Sequence, residues 1–269
     1  YMEKFQKDFI DLLKTDINRV GQIYKSWLAN SCGIGITGAC INEIFHHVHW
    51  AHQKIHTFEG REDLVQKCMD KLFPSSGAIV DKPPSPTSSA HFKGISLYIV
   101  GISGSGKTAL ASFVSQKIKG KCSEIPLIIR FCGTSTESSN GFALVRSICF
   151  QINYLFCNGD WKVDEVNEMK DYSTLVEYFH ALLKKHPLVL VIDSLDQLTN
   201  NYKEQSEISF LKGVEPHLDS KIIVTTLPYD EKYKYLCSKK LELSKVPSVE
   251  VQTSFLSDIV SIQSMTSDI

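Results

Sequence analysis

The run Tyr98-Ile99-Val100-Gly101-Ile102-Ser103-Gly104-Ser105-Gly106-Lys107-Thr108 restricts what this chain can fold into more than any other stretch. The apolar segment Ile95 to Val100 reads as a buried strand. It breaks into a loop with three glycines and resumes as Lys107-Thr108-Ala109-Leu110-Ala111, a good helix start. The spacing fits G-x-x-x-x-G-K-[ST], a phosphate-binding loop. Here the backbone N–H groups of Gly101, Ile102, Ser103, Gly104, Ser105 and Gly106 can converge on one anion, because the glycines lack the Cβ that would block them. The helix beginning at Lys107 adds its positive dipole end. Lys107 supplies a mobile charge for the β and γ phosphates, and the Thr108 hydroxyl can hold a bridging Mg²⁺. The competing reading is a glycine-rich turn that merely precedes a helix. The strand upstream and helix downstream are the context the phosphate reading requires.

A chain of 269 residues can bury a sizeable core as one large domain or two. It opens on Tyr1 and is read as a piece of a longer protein. With a formal net charge of −1 and only short basic spots such as Lys184-Lys185-His186, no nucleic-acid partner is expected. The eight cysteines form no C-x-x-C pair, and no apolar run reaches membrane-spanning length. Reduced thiols, a cytoplasmic location and no membrane partner are the expectation.

Residues 1–57 read as a helical region. Phe5, Phe9, Leu12, Leu13, Ile17, Val20, Ile23 and Trp27 recur at helical spacing, Ser31 to Cys40 reads as a small-residue linker, and a second helix runs from Ile41 to about Phe58. That second helix carries His46, His47, His49, His52 and His56. His52 and His56 have a metal-ligand spacing, but no third ligand is obvious, and a polar histidine-rich face is the favoured reading. Residues 58–92 read as a helix bearing Val65, Cys68, Met69 and Leu72, followed by a Pro/Ser-rich linker from Pro74 to about His91.

Residues 93–269 carry the alternation expected of a doubly wound parallel sheet. After the phosphate loop come a helix to Ile118, a strand Pro126 to Phe131 and a polar loop Gly133 to Asn140. A helix through Phe142 and Leu155 and another from Ser173 to Lys185 follow. Leu188 to Ile192 is apolar throughout, as a central parallel strand should be. A helix near Ile208 to Leu218 and a strand Lys221 to Val224 are predicted next. Asp193, at the end of the apolar strand, is placed to hold Mg²⁺, usually through water; the alternative is a helix cap. Asp196 is the nearby carboxylate that could orient an attacking water, and a turn acid is the competing reading.

Together, Gly60-Arg61-Glu62, Gly101 to Thr108, Arg130-Phe131-Cys132-Gly133-Thr134-Ser135, Leu144 to Cys149 and Asp193-Ser194-Leu195-Asp196-Gln197-Leu198 resemble the NACHT domain of the NACHT and WD-repeat proteins. These belong to the signal-transduction ATPases with numerous domains, the STAND NTPases. The resemblance covers roughly Phe58 to the C-terminus. It implies an α/β fold: a doubly wound parallel-sheet P-loop NTPase of the additional-strand class, here with an N-terminal helical segment. The fourth strand would lie between the first and third. It further implies ATP or ADP with Mg²⁺, a nucleotide contact from Arg61, and self-association controlled by nucleotide. Lid subdomains, any WD-repeat propeller and other partner-binding regions would lie beyond residue 269.

Two departures matter. Ser194 stands where many related ATPases carry Glu, and Leu227, in Thr225-Thr226-Leu227-Pro228, stands where many relatives have an arginine that senses the terminal phosphate. A full switch needs about 5.5 kcal/mol of differential binding. A hydrogen bond to a charged group contributes about 1.5–3 kcal/mol, so Leu227 removes one of the two or three contacts required. The hypothesis is that a neighbouring subunit or an external ligand makes up the difference. The expected function is a regulatory ATP-binding switch or oligomerisation module of a signalling protein, at most a weak ATPase. The rivals are a small-molecule kinase and a scaffold with structural ADP.

Overall fold

In the computed structural model, strand parity decides which side chain enters which layer. The structure describes residues 36–56, 58–74, 94–199, 208–227 and 248–250. The helical pattern expected from Phe5 to Trp27 and most of the Pro/Ser-rich linker lie outside them. β1 (Leu97–Val100), β2 (Leu127–Phe131), β3 (Val189–Asp193) and β4 (Lys221–Thr226) are buried almost throughout. On one face Leu97, Ile99, Ile129, Phe131, Val189, Val191 and Ile223 meet two helices: α3 (Lys107–Lys121) through Leu110, Val114 and Ile118, and α2 (Glu62–Leu72) through Val65, Cys68 and Leu72. The alternate residues, Arg130 among them, turn to the other face. There α4 (Gly141–Phe156) packs on β2 and on α6 (Tyr172–Lys185), which follows the short α5 (Val163–Glu168). Burying a single Leu, Ile, Val or Phe contributes about 1.5–3 kcal/mol, so these two apolar layers dominate the stability of the fold.

All pairings are parallel and the strand order is β2-β3-β4-β1-β5, with β5 (Ser248–Glu250) beside β1. β4 thus lies between β1 and β3, as the resemblance implied. The register sets Phe131 opposite Asp193 and Val100 opposite Thr226, which brings the carboxyl ends of the strands into one row.

Helix starts follow local chemistry. The Asn140 side chain accepts from Ala143 N–H and Asp171 from Thr174 N–H, capping α4 and α6. Glu62 and Asp63 occupy the first turn of α2, where the dipole favours acids.

Three expectations need correction. The helix predicted over Ile208–Leu218 is a single 3₁₀ turn, Ser209–Leu211, followed by extended chain. Gly213 sits at φ +73°, and Pro216 has no N–H to give a helix. Ile208, Phe210, Leu211 and Val214 are nevertheless buried, so their apolar spacing reflects plugging rather than helical periodicity. The helix α1 (Ile36–His56) begins inside the segment read as a linker to Cys40. The short α5 was not anticipated.

α1 meets the sheet at its β2 edge. His47 is fully buried, with its ring centroid 5.9 Å from that of Phe131. Nδ1 accepts the Phe131 backbone N–H at 3.2 Å, so the ring proton lies on Nε2 and is donated to Glu43 Oε1 at 2.7 Å. Ser135 Oγ donates to the same carboxylate oxygen at 2.7 Å.

Candidate functional site

The loop between β1 and α3 turns on two of its three glycines. Gly104 and Gly106 sit at φ +77° and +85°, where a side chain is strained, and Gly106 directly precedes α3. Gly101 shows no positive φ; its N–H donates to Thr226 O at 3.3 Å, tying the loop to β4. Ser103 and Ile102 are exposed at the loop crest. Ser105 Oγ is buried without a hydrogen-bond partner among the described residues.

Lys107 is 8 % exposed, and its ammonium donates to Gly101 O at 2.7 Å and Ile102 O at 2.9 Å. Burial lowers its pKa below the ordinary lysine range, opposed by the charges of Asp196 and Asp193.

Eighty-five residues downstream, Asp193 returns to the same point: Thr108 Oγ1 donates to Asp193 Oδ2 at 2.9 Å. Asp193 also accepts from Ser194 Oγ on Oδ2 at 2.9 Å and from Thr225 Oγ1 on Oδ1 at 2.7 Å. Burial pushes its carboxyl above the usual range, against those hydrogen bonds and the attraction of Lys107. Ser194 holds a left-handed φ of +58°, and its N–H donates to Thr225 Oγ1 at 2.8 Å.

Asp196 lies in the 3₁₀ turn Leu195–Gln197, half-buried, with its Oδ2 accepting from Gln197 Nε2 at 2.6 Å. That turn rests on Gly133, where an added Cβ would come within 2.9 Å of Gln197 Cβ. Arg61 reaches the glycine-rich loop from the start of α2. Its Nη1 donates to Ser105 O and lies 3.2 Å from where a Gly106 Cβ would stand. Arg61, Asp193 and Asp196, from two distant stretches of sequence, thus lie beside the loop that ends in Lys107 and Thr108. Leu227 is half-buried at the end of β4 and brings no charge.

The residues present fit a magnesium-bound polyphosphate. The Ser105 hydroxyl is without a partner among the described residues, Gly104 and Gly106 leave the loop open where a Cβ would stand, and Thr108 and Asp193 are hard oxygen donors of the kind Mg²⁺ selects. Among the described residues no group of three or more His, Cys, Asp or Glu is placed to hold a metal, so a cation here would lean on the Thr108 hydroxyl, the phosphates and water as well as Asp193. His52 and His56 form a pair, with Nε2 atoms 3.1 Å apart.

Sequence reasoning missed what the Arg130–Ser135 block does. Arg130 is fully buried on the α4 face, where Nε donates to Ser147 Oγ at 3.1 Å and Nη2 to Ser147 O at 3.3 Å. Burial brings its pKa down to about 10, with the charge of Glu43 opposing. The block thus joins α1, α4 and the Asp193 turn. The available signal was phase: Arg130 alternates with Phe131 and had to face the opposite layer.

No described helix is long and apolar enough to cross a membrane. The segment is 28% identical over 144 residues to human "Putative tetratricopeptide repeat protein 41" (51% of this chain, 11% of that protein). It is 27% identical over 163 residues to human "NACHT domain- and WD repeat-containing protein 1" (58% of this chain, 9% of that protein). The chain thus spans about a tenth of each relative's length. AMPPCP-bound DnaA from Aquifex aeolicus aligns at a TM-score of 0.40 and 13% identity, over 80% of this chain and 54% of that one, a remote likeness. The profile of the family described as "Nephrocystin 3, N-terminal" matches residues 88–226, just over half of the chain, from before β1 to the end of β4. On that match, the chain belongs to the nephrocystin 3 N-terminal family.

Proposed function

We propose that this chain is the nucleotide-binding module of a larger cytoplasmic signalling or scaffold protein, taking ATP or ADP with Mg²⁺ and using it to regulate self-association. The observation that carries the reading is the 2.9 Å contact between Thr108 Oγ1 and Asp193 Oδ2, which joins the phosphate loop to the acid of the neighbouring apolar strand. With β4 between β1 and β3, this favours the additional-strand class of P-loop NTPase. The similarity to a NACHT- and WD-repeat-containing relative favours the NACHT branch, with further partners bound outside residues 1–269.

In this reading the backbone amides of Gly101 to Gly106 hold the phosphates. Lys107 leaves the Gly101 and Ile102 carbonyls to neutralise their charge. Thr108 and Asp193 would hold Mg²⁺, which when bound would neutralise and orient the phosphates. Arg61 braces the loop from outside. Hydrolysis is slow: the position after Asp193 is a serine, and the Asp196 carboxylate is engaged by its neighbour Gln197.

The test measures the nucleotide retained by the purified chain, its exchange rate and the particle mass in each state. Exchangeable ATP or ADP that is lost in Lys107→Ala supports the proposal. Equal retention by the parent and Lys107→Ala overturns it.

A further inference from the structure

Thr225 occupies a position that neither the phosphate loop nor the Asp193 turn explains. Its side chain is fully buried, and its single hydroxyl serves two neighbours: it accepts Ser194 N–H at 2.8 Å and donates to Asp193 Oδ1 at 2.7 Å. The two contacts define each other. A lone pair committed to Ser194 N–H leaves the hydroxyl proton directed at Asp193, so the rotor has one setting. Oδ1 is thereby occupied on the β4 side, while Oδ2 faces Thr108 and Ser194.

The same contact braces Ser194, a non-glycine residue at φ +58°. That conformation is disfavoured for a residue with a Cβ and persists only where the surroundings hold it. β4 ends at Thr226, whose carbonyl accepts the Gly101 N–H, and the next residue, Leu227, is uncharged; the β4 side chain that reaches Asp193 is Thr225.

We propose that Thr225 is a positioning residue for the metal: it locks the Asp193 carboxylate so that Oδ2 is presented to Mg²⁺ beside Thr108. This rests on the magnesium-nucleotide reading above and extends it to regulation. Retention of nucleotide is gated by the divalent ion through β4, in place of a charge on β4 that reads the terminal phosphate.

The experiment titrates Mg²⁺ against a fixed fluorescent ADP with the full chain, alongside nucleotide binding in excess EDTA. Thr225→Val removes the hydroxyl at nearly constant volume. The Mg²⁺ midpoint is expected to rise at least about tenfold, the effect of losing a hydrogen bond to a charged group, while binding in EDTA stays unchanged. Thr225→Ser restores the parental midpoint. If Thr225→Val does not fold, Thr225→Cys, a weak donor, is to shift the midpoint in the same direction. An unchanged midpoint in a folded Val or Cys variant overturns the proposal, as does an equal loss of binding with and without Mg²⁺, which would mark Thr225 as structural only. If the parent itself shows no Mg²⁺-dependent binding, the broader reading fails first, and the two failures are distinguishable.

Discussion

The Phe131 backbone N–H donates to His47 Nδ1 at 3.2 Å, across 84 residues of sequence, and so seats α1 on the outer edge of the sheet. Burial lowers the pKa of His47 from its usual 6.5, although the hydrogen bond to Glu43 opposes the shift. A protonated ring would have no lone pair for Phe131. Burial alone would raise Glu43, but hydrogen bonds from His47 and Ser135 and the charge of Arg130 hold it below its usual 4.5.

Both groups bind protons less readily folded than unfolded, so both make stability rise with pH. The His47 contribution is fully present above 6.5 and is lost as pH falls below it; that of Glu43 is present above 4.5 and is lost below it. Melting temperature measured across acid pH is expected to fall in those two windows. In His47→Gln the upper window flattens. His47→Ala, which orphans the Phe131 amide, is expected to cost about 1–3 kcal/mol at neutral pH.

Lys107→Ala separates binding from folding. The variant loses two hydrogen bonds to loop carbonyls but also a buried cation, so thermal unfolding should shift by no more than about 1 kcal/mol. ATP affinity should fall at least about tenfold by equilibrium binding.

Gly133 is constrained twice, by φ +75° and by Gln197 Cβ at 2.9 Å from an added Cβ. Gly133→Ala is expected to destabilise by about 2–3 kcal/mol in urea unfolding, about 1–2 of it from the backbone conformation. Adding Gln197→Gly removes the clash, so the double variant should retain the backbone share and lose the steric one.

Leu227→Arg restores a charge at the end of β4. The preference for ATP over ADP should rise about tenfold to a hundredfold, the effect of one hydrogen bond to a charged phosphate. An unchanged ratio of the two affinities would argue against a missing terminal-phosphate contact at that position.

Where local structure depends on contiguous residues, the sequence was readable. Gly101 to Thr108 announces its own turn, and the unbroken Leu188–Ile192 run announces a strand covered on both faces and ending at Asp193. The meeting of Asp193 with Thr108 then follows from strand order. Long-range polar contacts were harder to read. His47 looked like one of five histidines on a polar face, because a buried imidazole and an exposed one share the same local spacing. Its partner Phe131 sits on another strand. Arg130 read as part of a family block, whereas its burial against Ser147 makes it part of the fold. The Ile208–Leu218 segment misled because apolar residues at irregular intervals can fill a groove without winding into a helix.

β2 is the outermost strand on its side of the sheet, and one imidazole covers its Phe131 amide. A fragment trimmed to the family match at residue 88 discards that cover and leaves an open hydrogen-bonding rail. Such a fragment is expected to dimerise by adding strands edge to edge. Its assemblies would then report where the chain was cut, so self-association experiments should retain α1.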